Sequence, residues 1–549
     1  MKRIYILFSL LLSLLCNGQI FYLQIKGSTK YESKIIDSIN YSKEHKNISS
    51  LLKTIKSFDS TLTNLGYLEK RTTRQTKTND STFLFEYTLG KKTNYSYIYI
   101  SKNKELINHT QDTLKIKFNK TEDWAKNILN TLEQKGYPLA KLKLSNQKHN
   151  KDILYSDLTI NLNKKRSFDE IITLGYLNFP KNIKQSLIRK LRKQKLNKKN
   201  IEILNNELNE LTFANQIKYP EILFTKDSTK IYTYLEKAKP NKFEGFIGFA
   251  NDKENKPTLN GYLDLNLQNT FNSAEKINLY WKNDGNKQTT FNFSTEFPYI
   301  FKTSIGIKSS LRIFKQDSIF QNTQSELQIG YYFNVNKKTL FGLQNTTSTN
   351  TQSTSNNSIE SYKSKFYTLS YEYTKPNKNS FLIKNNTEIR IKTGLGERMN
   401  KQKTTKQFFC EFNLEQNITL NTKSKLFLKT QTFYLNSNNY ISNELYRFGG
   451  INSIRGFREN SLQANILTSI ITEYRHILNQ SLYIHSIIDY GYFEDSTIKT
   501  KNNLFSFGCG LALLTNNGVF NLVYANGSTK NQTIKLSNSI IHISFKTNF

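Results

Sequence analysis

The stretch GYLDLNLQN, Gly261 to Asn269, sets Leu263, Leu265 and Leu267 against Tyr262, Asp264, Asn266 and Gln268. Successive side chains on a strand point to opposite faces, so this segment has one apolar and one polar face. The alternation recurs in KINLYW (Lys276 to Trp281), TFNFSTEF (Thr290 to Phe297), SELQIGYYF (Ser325 to Phe333), KFYTLSYEY (Lys365 to Tyr373), FFCEFNLEQ (Phe408 to Gln416) and KLFLKTQTFYL (Lys425 to Leu435). Beyond Pro240 convincing helical patterns disappear, and roughly sixteen strands of about ten residues can be counted. No later segment offers ~20 uninterrupted apolar residues. Strands that enter a membrane must close into a barrel, because an open edge leaves backbone groups unpaired in hydrocarbon. Residues 240–549 therefore read as a transmembrane antiparallel β-barrel, with one face of each strand toward lipid and the other toward a polar lumen. Polar runs such as STNTQSTSNNS (Ser348 to Ser358) fit outward loops.

Ahead of Pro240, helical and strand patterns alternate in a loose repeat. FYLQIKGS (Phe21 to Ser28) reads as a strand, followed by a helix around Ile48 to Leu65 that stops at Gly66-Tyr67, and by two strands, the second at Ser81 to Gly90. The pattern returns with strands at Tyr95 to Ser101 and Leu114 to Phe118. The helix TEDWAKNILNTLEQKG follows, with Thr121 as its N-cap and Gly136 as its stop, then strands at Leu139 to Leu144 and Asp157 to Leu162. A third copy runs from Phe168 to Tyr176 through helices around Lys181 to Lys193 and Lys199 to Leu211, to strands at Glu221 to Phe224 and Lys230 to Leu235. Boundaries are expected at 19–92, 93–166 and 167–239, with GKKTN (Gly90 to Asn94) and NKKRS (Asn163 to Ser167) as joiners. Three small α+β units in series resemble POTRA domains, on topology and on Gly66-Tyr67, Gly136-Tyr137-Pro138 and Tyr219-Pro220. In the last of these the Gly is missing. Taken alone, this half also fits a generic α+β domain.

Composition agrees with strands in a membrane. Of 549 residues only 37% are hydrophobic and 22% charged, yet 13% are aromatic, with 32 Tyr and 37 Phe against 2 Trp. That suits alternating strands and interfacial girdles better than a large soluble core. The formal net charge is +35. Its Lys and Arg are scattered among Asn, Thr and Ser rather than gathered on a nucleic-acid module, so no nucleic-acid partner is expected. A Lys- and Asn-rich bias outweighs contact with anionic lipid headgroups or acidic surface polymers. Residues 1–18 read as a secretory signal: Lys2 and Arg3, an apolar core from Ile4 to Leu15, then Cys16 and Gly18 before a cut at Gln19. A lipoprotein site at Cys16 ranks lower, because Leu15 stands where a small residue is wanted. Of the 3 cysteines, Cys410 and Cys509 remain, each on the apolar face of its strand. Free, lipid-facing thiols are the better reading, with a disulfide as the alternative.

The most specific feature is YRFGGINSIRGFREN, Tyr446 to Asn460, a Gly- and Arg-rich loop between two strands. Gly449, Gly450, Arg455, Gly456 and Phe457, with Ile454 before the Arg, resemble the sixth-loop signature of the BamA/TamA assembly-factor family and of the two-partner secretion translocators. A loop that folds back into a barrel needs Gly to turn. A buried Arg there needs a carboxylate. In IHSIIDYGYF (Ile484 to Phe493), Asp489 and Gly491 resemble the family's Asp-x-Gly strand motif, whose carboxylate meets the loop Arg. Parity puts Asp489 with His485, Ile487 and Gly491 toward the lumen, and Ile484, Ser486, Ile488, Tyr490 and Tyr492 toward lipid. Glu473, in TEYRH (Thr472 to His476), is a second partner for Arg455. FSFGCGLALLTNNGVFNLVYANG (Phe505 to Gly527) resembles the family's penultimate hairpin, and IIHISFKTNF (Ile540 to Phe549) its aromatic-ended last strand.

The resemblance implies an outer-membrane protein that assembles, inserts or translocates other proteins, with the POTRA-like units in the periplasm, and not an enzyme. It implies a seam between the first strand (Phe243 to Ala250) and the last, which ends on Phe549. Gly245 and Gly248 weaken pairing along the first strand. An opened seam, or a POTRA edge, can take a client strand by β-augmentation. The implied partners are unfolded outer-membrane or secreted clients, a periplasmic or inner-membrane protein at the POTRA units, and outer-membrane lipid; no cofactor is implied. Three units and this length look TamA-like, while a two-partner-secretion translocator and a passive channel stay open. A nucleotide loop is excluded, because a strand rather than a helix follows Gly456 and no Gly-Lys-Ser/Thr occurs. No catalytic set emerges from 6 His: His485 and Ser486 are adjacent on a strand and face opposite ways. No metal-ligand spacing stands out.

Overall fold

The computed structural model describes residues 20–100, 103–251, 257–283, 288–317, 319–352, 359–377, 380, 382–383, 385–401, 403–515, 518–530 and 539–548. The signal reading over 1–18, Cys16 and the terminal Phe549 lie outside them. By contacts the chain forms two compact units, one of residues 1–167 with 195–198, the other of residues 168–194 with 199–549.

The first unit holds two four-stranded sheets built on one plan. In the first sheet, β1 (Phe21–Gly27), β2 (Glu44–His45), β3 (Arg71–Lys77) and β4 (Thr82–Thr88) lie in the order β2-β1-β4-β3, with β1 and β4 parallel. In the second, β5 (Tyr95–Tyr99), β6 (Thr113–Lys117), β7 (Lys141–Asn150) and β8 (Ile153–Asn161) repeat it as β6-β5-β8-β7, with β5 and β8 parallel. A parallel pair needs a crossover, and helices supply it. Helix α1 (Lys30–Asp37) starts at a capping box: Glu32 N donates to Thr29 Oγ1 at 3.2 Å and Thr29 N donates to Glu32 at 3.1 Å. Helix α2 (Ile48–Asn64) is capped by Asn47 and buries Leu51, Phe58 and Leu62 with Ile36, Leu23, Ile25, Phe85 and Tyr87. Each such side chain contributes about 1.5–3 kcal/mol. Helix α3 (Thr121–Gln134) buries Ile128 and Leu132 one turn apart. Both long helices end on glycines in the left-handed region, Gly66 at φ +104° and Gly136 at φ +95°. Thr121 is not the N-cap of its helix. A 3-10 turn, Phe118–Lys120, precedes it, and the Thr121 hydroxyl donates instead to Ser96 Oγ at 3.0 Å.

In the second unit, β9 (Glu170–Leu174), β10 (Ala214–Phe224) and β11 (Thr229–Lys237) order as β10-β11-β9, with β9 and β11 parallel. Helices α4 (Lys181–Arg192) and α5 (Lys198–Asn209) cross between them. Tyr219-Pro220 does not stand where Gly66-Tyr67 and Gly136-Tyr137 stand. It lies inside β10, where the ladder to β11 is irregular between Lys218 and Glu221, as expected of a proline that cannot donate. This third sheet is bonded to the barrel's short turns. Asn182 donates to the carbonyls of Ser273 (2.6 Å) and Pro298 (3.1 Å), Asn269 donates to Tyr176 (2.8 Å), and Asn336 donates to the Glu210 carbonyl (3.0 Å).

The barrel comprises sixteen antiparallel strands, from Lys242–Asn251 to Ile540–Asn548. Their lengths run from 8 residues (Lys276–Asn283) to 16 (Asn385–Asn400), so several exceed the expected ten. The polar run at Ser348 is one reason: Lys337–Asn350 continues as strand through its first residues. Outward alternation is plain in the sixth strand, where Leu327, Ile329 and Tyr331 are exposed and Gln328 between them is buried. Ile484, Ile488 and Tyr490 repeat it on the thirteenth. Cys410 and Cys509 are free thiols, with Cys509 exposed on the face it shares with Phe505 and Phe507.

Candidate functional site

The loop Tyr446–Asn460 folds into the barrel on a two-stranded stem, Tyr446–Phe448 paired with Leu462–Ala464. Glycine makes the turn: Gly449 and Gly450 sit at φ +101° and +99°, and Gly456 at +78°. Phe448, Ile454 and Phe457 then pack with Phe409, Phe433, Leu435, Leu467, Phe493 and Leu504 inside the barrel. Phe448 meets Phe493 edge-on at 5.4 Å, and Tyr446 stacks on Phe433 at 4.7 Å.

Arg455 is 2% exposed and Asp489 1%. Arg455 Nε donates to Asp489 Oδ2 at 2.9 Å, Nη2 to Oδ1 at 2.5 Å, and the Arg455 backbone N to Oδ2 at 3.1 Å. This bidentate fork fixes both rotation and position of the guanidinium. Its Nη1 donates to Glu473, and Nη2 also donates to the Thr472 carbonyl at 3.2 Å. Glu473 is shared with Arg475, whose Nε lies 2.7 Å from Oε2. Arg475 in turn donates to Asn417 at 2.7 Å and lies over the Phe427 ring at 4.3 Å. Asp489 stands on the thirteenth strand (Leu482–Asp495) and Glu473 on the twelfth (Ile466–Asn479), so one loop side chain ties two adjacent strands.

The strand motif has a steric reason. A Cβ at Gly491 would lie 2.2 Å from Ile454 Cδ1, so the glycine makes room for the residue ahead of Arg455. Gly456 meets backbone on the fifteenth strand (Gly518–Thr529): a Cβ there would lie 2.3 Å from Gly527 N. Ile487, the apolar residue on the lumen side of its strand, is buried against Val523, Ala525 and Ile451 of the loop.

Several contacts in this site carry no sequence signal. The loop's approach is held by Arg398, fully buried, which pairs with Glu444 and donates to Asn439 at 2.7 Å. Asn443 donates to Ser348 (2.6 Å) and to the Glu360 carbonyl (2.7 Å). Past Arg455, Glu459 pairs with Lys282 on the third strand. Only the nearness of Glu444 to the loop motif could have flagged it.

Of the expected seam residues, Phe243 lies at the barrel's closure, Gly245 and Gly248 lie further along the first strand, and Phe549 lies outside the described residues. The first strand (Lys242–Asn251) meets the last (Ile540–Asn548) through two residue pairs among the described residues, Lys242 with Asn548 and Phe243 with Thr547. On its other side the first strand makes ten pairs, with Gly245 opposite Leu263 and Gly248 opposite Asn260. Beyond Phe243 the last strand's edge borders a cavity of about 610 Å³. Its lining includes His542 and Ser544, Ile541 and Ile543 from the opposite strand face, and Arg455 and Glu459 from the loop.

This architecture matches solved structures. CdiB from Acinetobacter baumannii aligns over 82% of this chain and 87% of its own at 14% identity, TM-score 0.53. CdiB from Escherichia coli aligns over 83% and 90% at 12% identity, TM-score 0.54. The chain shares the fold of these CdiB proteins. BamA from Haemophilus ducreyi lacking POTRA domains 1–3 aligns more loosely, over 82% and 97% at 15% identity, TM-score 0.46. No protein-family model and no curated relative matches the sequence. The protein is a sixteen-stranded antiparallel β-barrel of that fold, preceded in the chain by three POTRA-like sheets.

Proposed function

We propose that this protein is an assembly, insertion or translocation factor for other proteins of the bacterial outer membrane, working through its seam rather than by catalysis. The observation that carries the reading is the contrast between the two sides of the first strand: among the described residues, two residue pairs toward the last strand and ten toward the second. Each missing pair leaves backbone donors and acceptors that a client strand satisfies by β-augmentation. Gly245 and Gly248 bring no side chain to the strand edge beyond those two pairs, so a client strand can approach it closely. Arg455, held by Asp489 and Glu473, keeps the loop in the lumen, so the barrel holds its shape while the seam opens. Gly449, Gly450, Gly456, Phe457 and Gly491 serve the same placement. The POTRA-like units, 19–92, 93–166 and 167–239, receive clients or a periplasmic or inner-membrane partner along their free sheet edges.

Depletion of the protein followed by quantitative profiling of the outer membrane tests this. Loss of many barrel proteins supports assembly. Normal levels of all barrels and all secreted clients sink the proposal. A second reading, a two-partner-secretion-type translocator, draws support from the likeness to the CdiB barrels. It expects loss of one secreted client while resident barrels stay at normal levels.

A further inference from the structure

The periplasmic end of the lumen holds a second cavity, of about 840 Å³, lined by the third POTRA-like sheet and the barrel strands but by no residue of the loop. Its charge is lopsided. The carboxylates that line it, Glu296, Glu372 and Glu388, are all engaged. Lys338 lies 2.5 Å from Glu296 and 3.0 Å from Glu372, Lys308 lies 2.5 Å from Glu372, and Arg390 pairs with Glu388. Lys237, Lys239 and Lys276 line the same cavity, and among the described residues their amines have no ion pair or side-chain hydrogen bond. Lys276 stands directly opposite Glu296 in the ladder, but that carboxylate is already committed to Lys338. Seven cationic side chains against three carboxylates in one semi-enclosed mouth focus a positive potential toward the periplasm. The rest of the wall is mostly amide and hydroxyl, including Asn266, Gln268, Asn278 and Asn336. Such a wall suits a hydrated, extended backbone and gives an acyl chain little apolar surface. The position inside the strand ring also keeps it away from lipid headgroups.

We propose that this mouth binds a carboxylate-rich stretch of an unfolded client polypeptide before that client reaches the seam. The identity of the occupant rests on the assembly reading above; the anion site itself does not. The test is fluorescence anisotropy on the purified full-length protein in detergent. It uses labelled 20-residue Glu/Ser and Lys/Ser peptides, with inorganic phosphate as competitor. The Glu/Ser peptide is expected to bind at least tenfold more tightly than the Lys/Ser peptide. The triple variant Lys237→Gln, Lys239→Gln, Lys276→Gln is expected to weaken that binding about tenfold, roughly 0.5 kcal/mol for each screened charge. Because the whole chain is strongly basic, a matched triple on the exposed faces of helices α1 and α2, away from any sheet edge, is the control: Lys34→Gln, Lys53→Gln, Lys56→Gln is expected to change affinity less than twofold. Equal weakening by both triples, or none by the first, overturns the site. Displacement of the peptide by low-millimolar phosphate overturns its assignment to a polypeptide. A depletion experiment that leaves the outer membrane intact, with peptide binding as described here, removes the assembly reading and not the site.

Discussion

Arg455→Ala removes four side-chain hydrogen bonds at once: two to Asp489, one to Glu473 and one to the Thr472 carbonyl. The two carboxylates fare differently. Glu473 keeps Arg475, whereas Asp489, 1% exposed, keeps among the described residues only the bond from the backbone N of residue 455. Stranding one member of a buried pair costs about 3–5 kcal/mol. The loop can leave the lumen without unfolding the strands, so this cost falls on local opening, raising it by about two to nearly four powers of ten. The assay is thiol labelling of Ser453→Cys, at a site 8% exposed, in a background with Cys410→Ala and Cys509→Ala. Arg455→Ala is expected to speed labelling at least a hundredfold. Arg455→Lys, which keeps the charge but loses the planar fork, should recover less than half of the lost free energy. Asp489→Ala should cost less than Arg455→Ala, because the guanidinium retains Glu473. The double variant Arg455→Ala, Asp489→Ala should fall short of the sum by about 0.5–3 kcal/mol. Labelling of Arg455→Ala at the parent rate, or strict additivity in the cycle, refutes the latch.

Gly491→Ala should loosen the loop by driving a methyl into Ile454, and Ile454→Val in the same chain should restore slow labelling, since the atom met at 2.2 Å is the Ile454 Cδ1; no rescue would place the damage elsewhere. Gly456→Ala adds strain at φ +78° to a backbone contact at 2.3 Å, so it should cost at least ~2 kcal/mol, read by the same labelling, with no rescue from any single side-chain truncation. Asn182→Ala removes that residue's two bonds to the barrel turns, leaving those of Arg189, and strands the Ser273 and Pro298 carbonyls. About 1–2 kcal/mol is expected, seen as faster limited proteolysis near Lys181 with the barrel's heat-modifiable gel mobility unchanged.

The barrel was legible because the strand period of two separates lipid from lumen, and Leu263, Leu265 and Leu267 against Asp264 and Asn266 carry that split openly. The signal fades where both faces meet water. Strands such as Lys337–Asn350 run on through polar residues that read as loop, which is why the expected lengths were short. The loop and its carboxylate were legible because turning glycine and a buried guanidinium constrain residue type at short range. Arg398 with Glu444, and Lys282 with Glu459, were not. Each pair joins a cation on a barrel strand to a carboxylate on the segment folded into the barrel, far along the chain, and composition does not encode that nearness. Helix α1 could have been found: Thr29 and Glu32 form a T-x-x-E capping box in plain view. Thr121 shows the converse, a good cap residue diverted to a buried hydroxyl partner.

Locking the seam tests the central claim most directly. Phe243 and Thr547 face each other across it, so the pair Phe243→Cys, Thr547→Cys, in a background with Cys410→Ala and Cys509→Ala, can be joined by oxidation in growing cells. The measurement is the rate at which newly made client proteins reach their folded or secreted form, before oxidation, after oxidation and after reduction. A seam that must part for clients stops their maturation when crosslinked and releases it on reduction. Unchanged maturation with the crosslink fully formed would contradict the account.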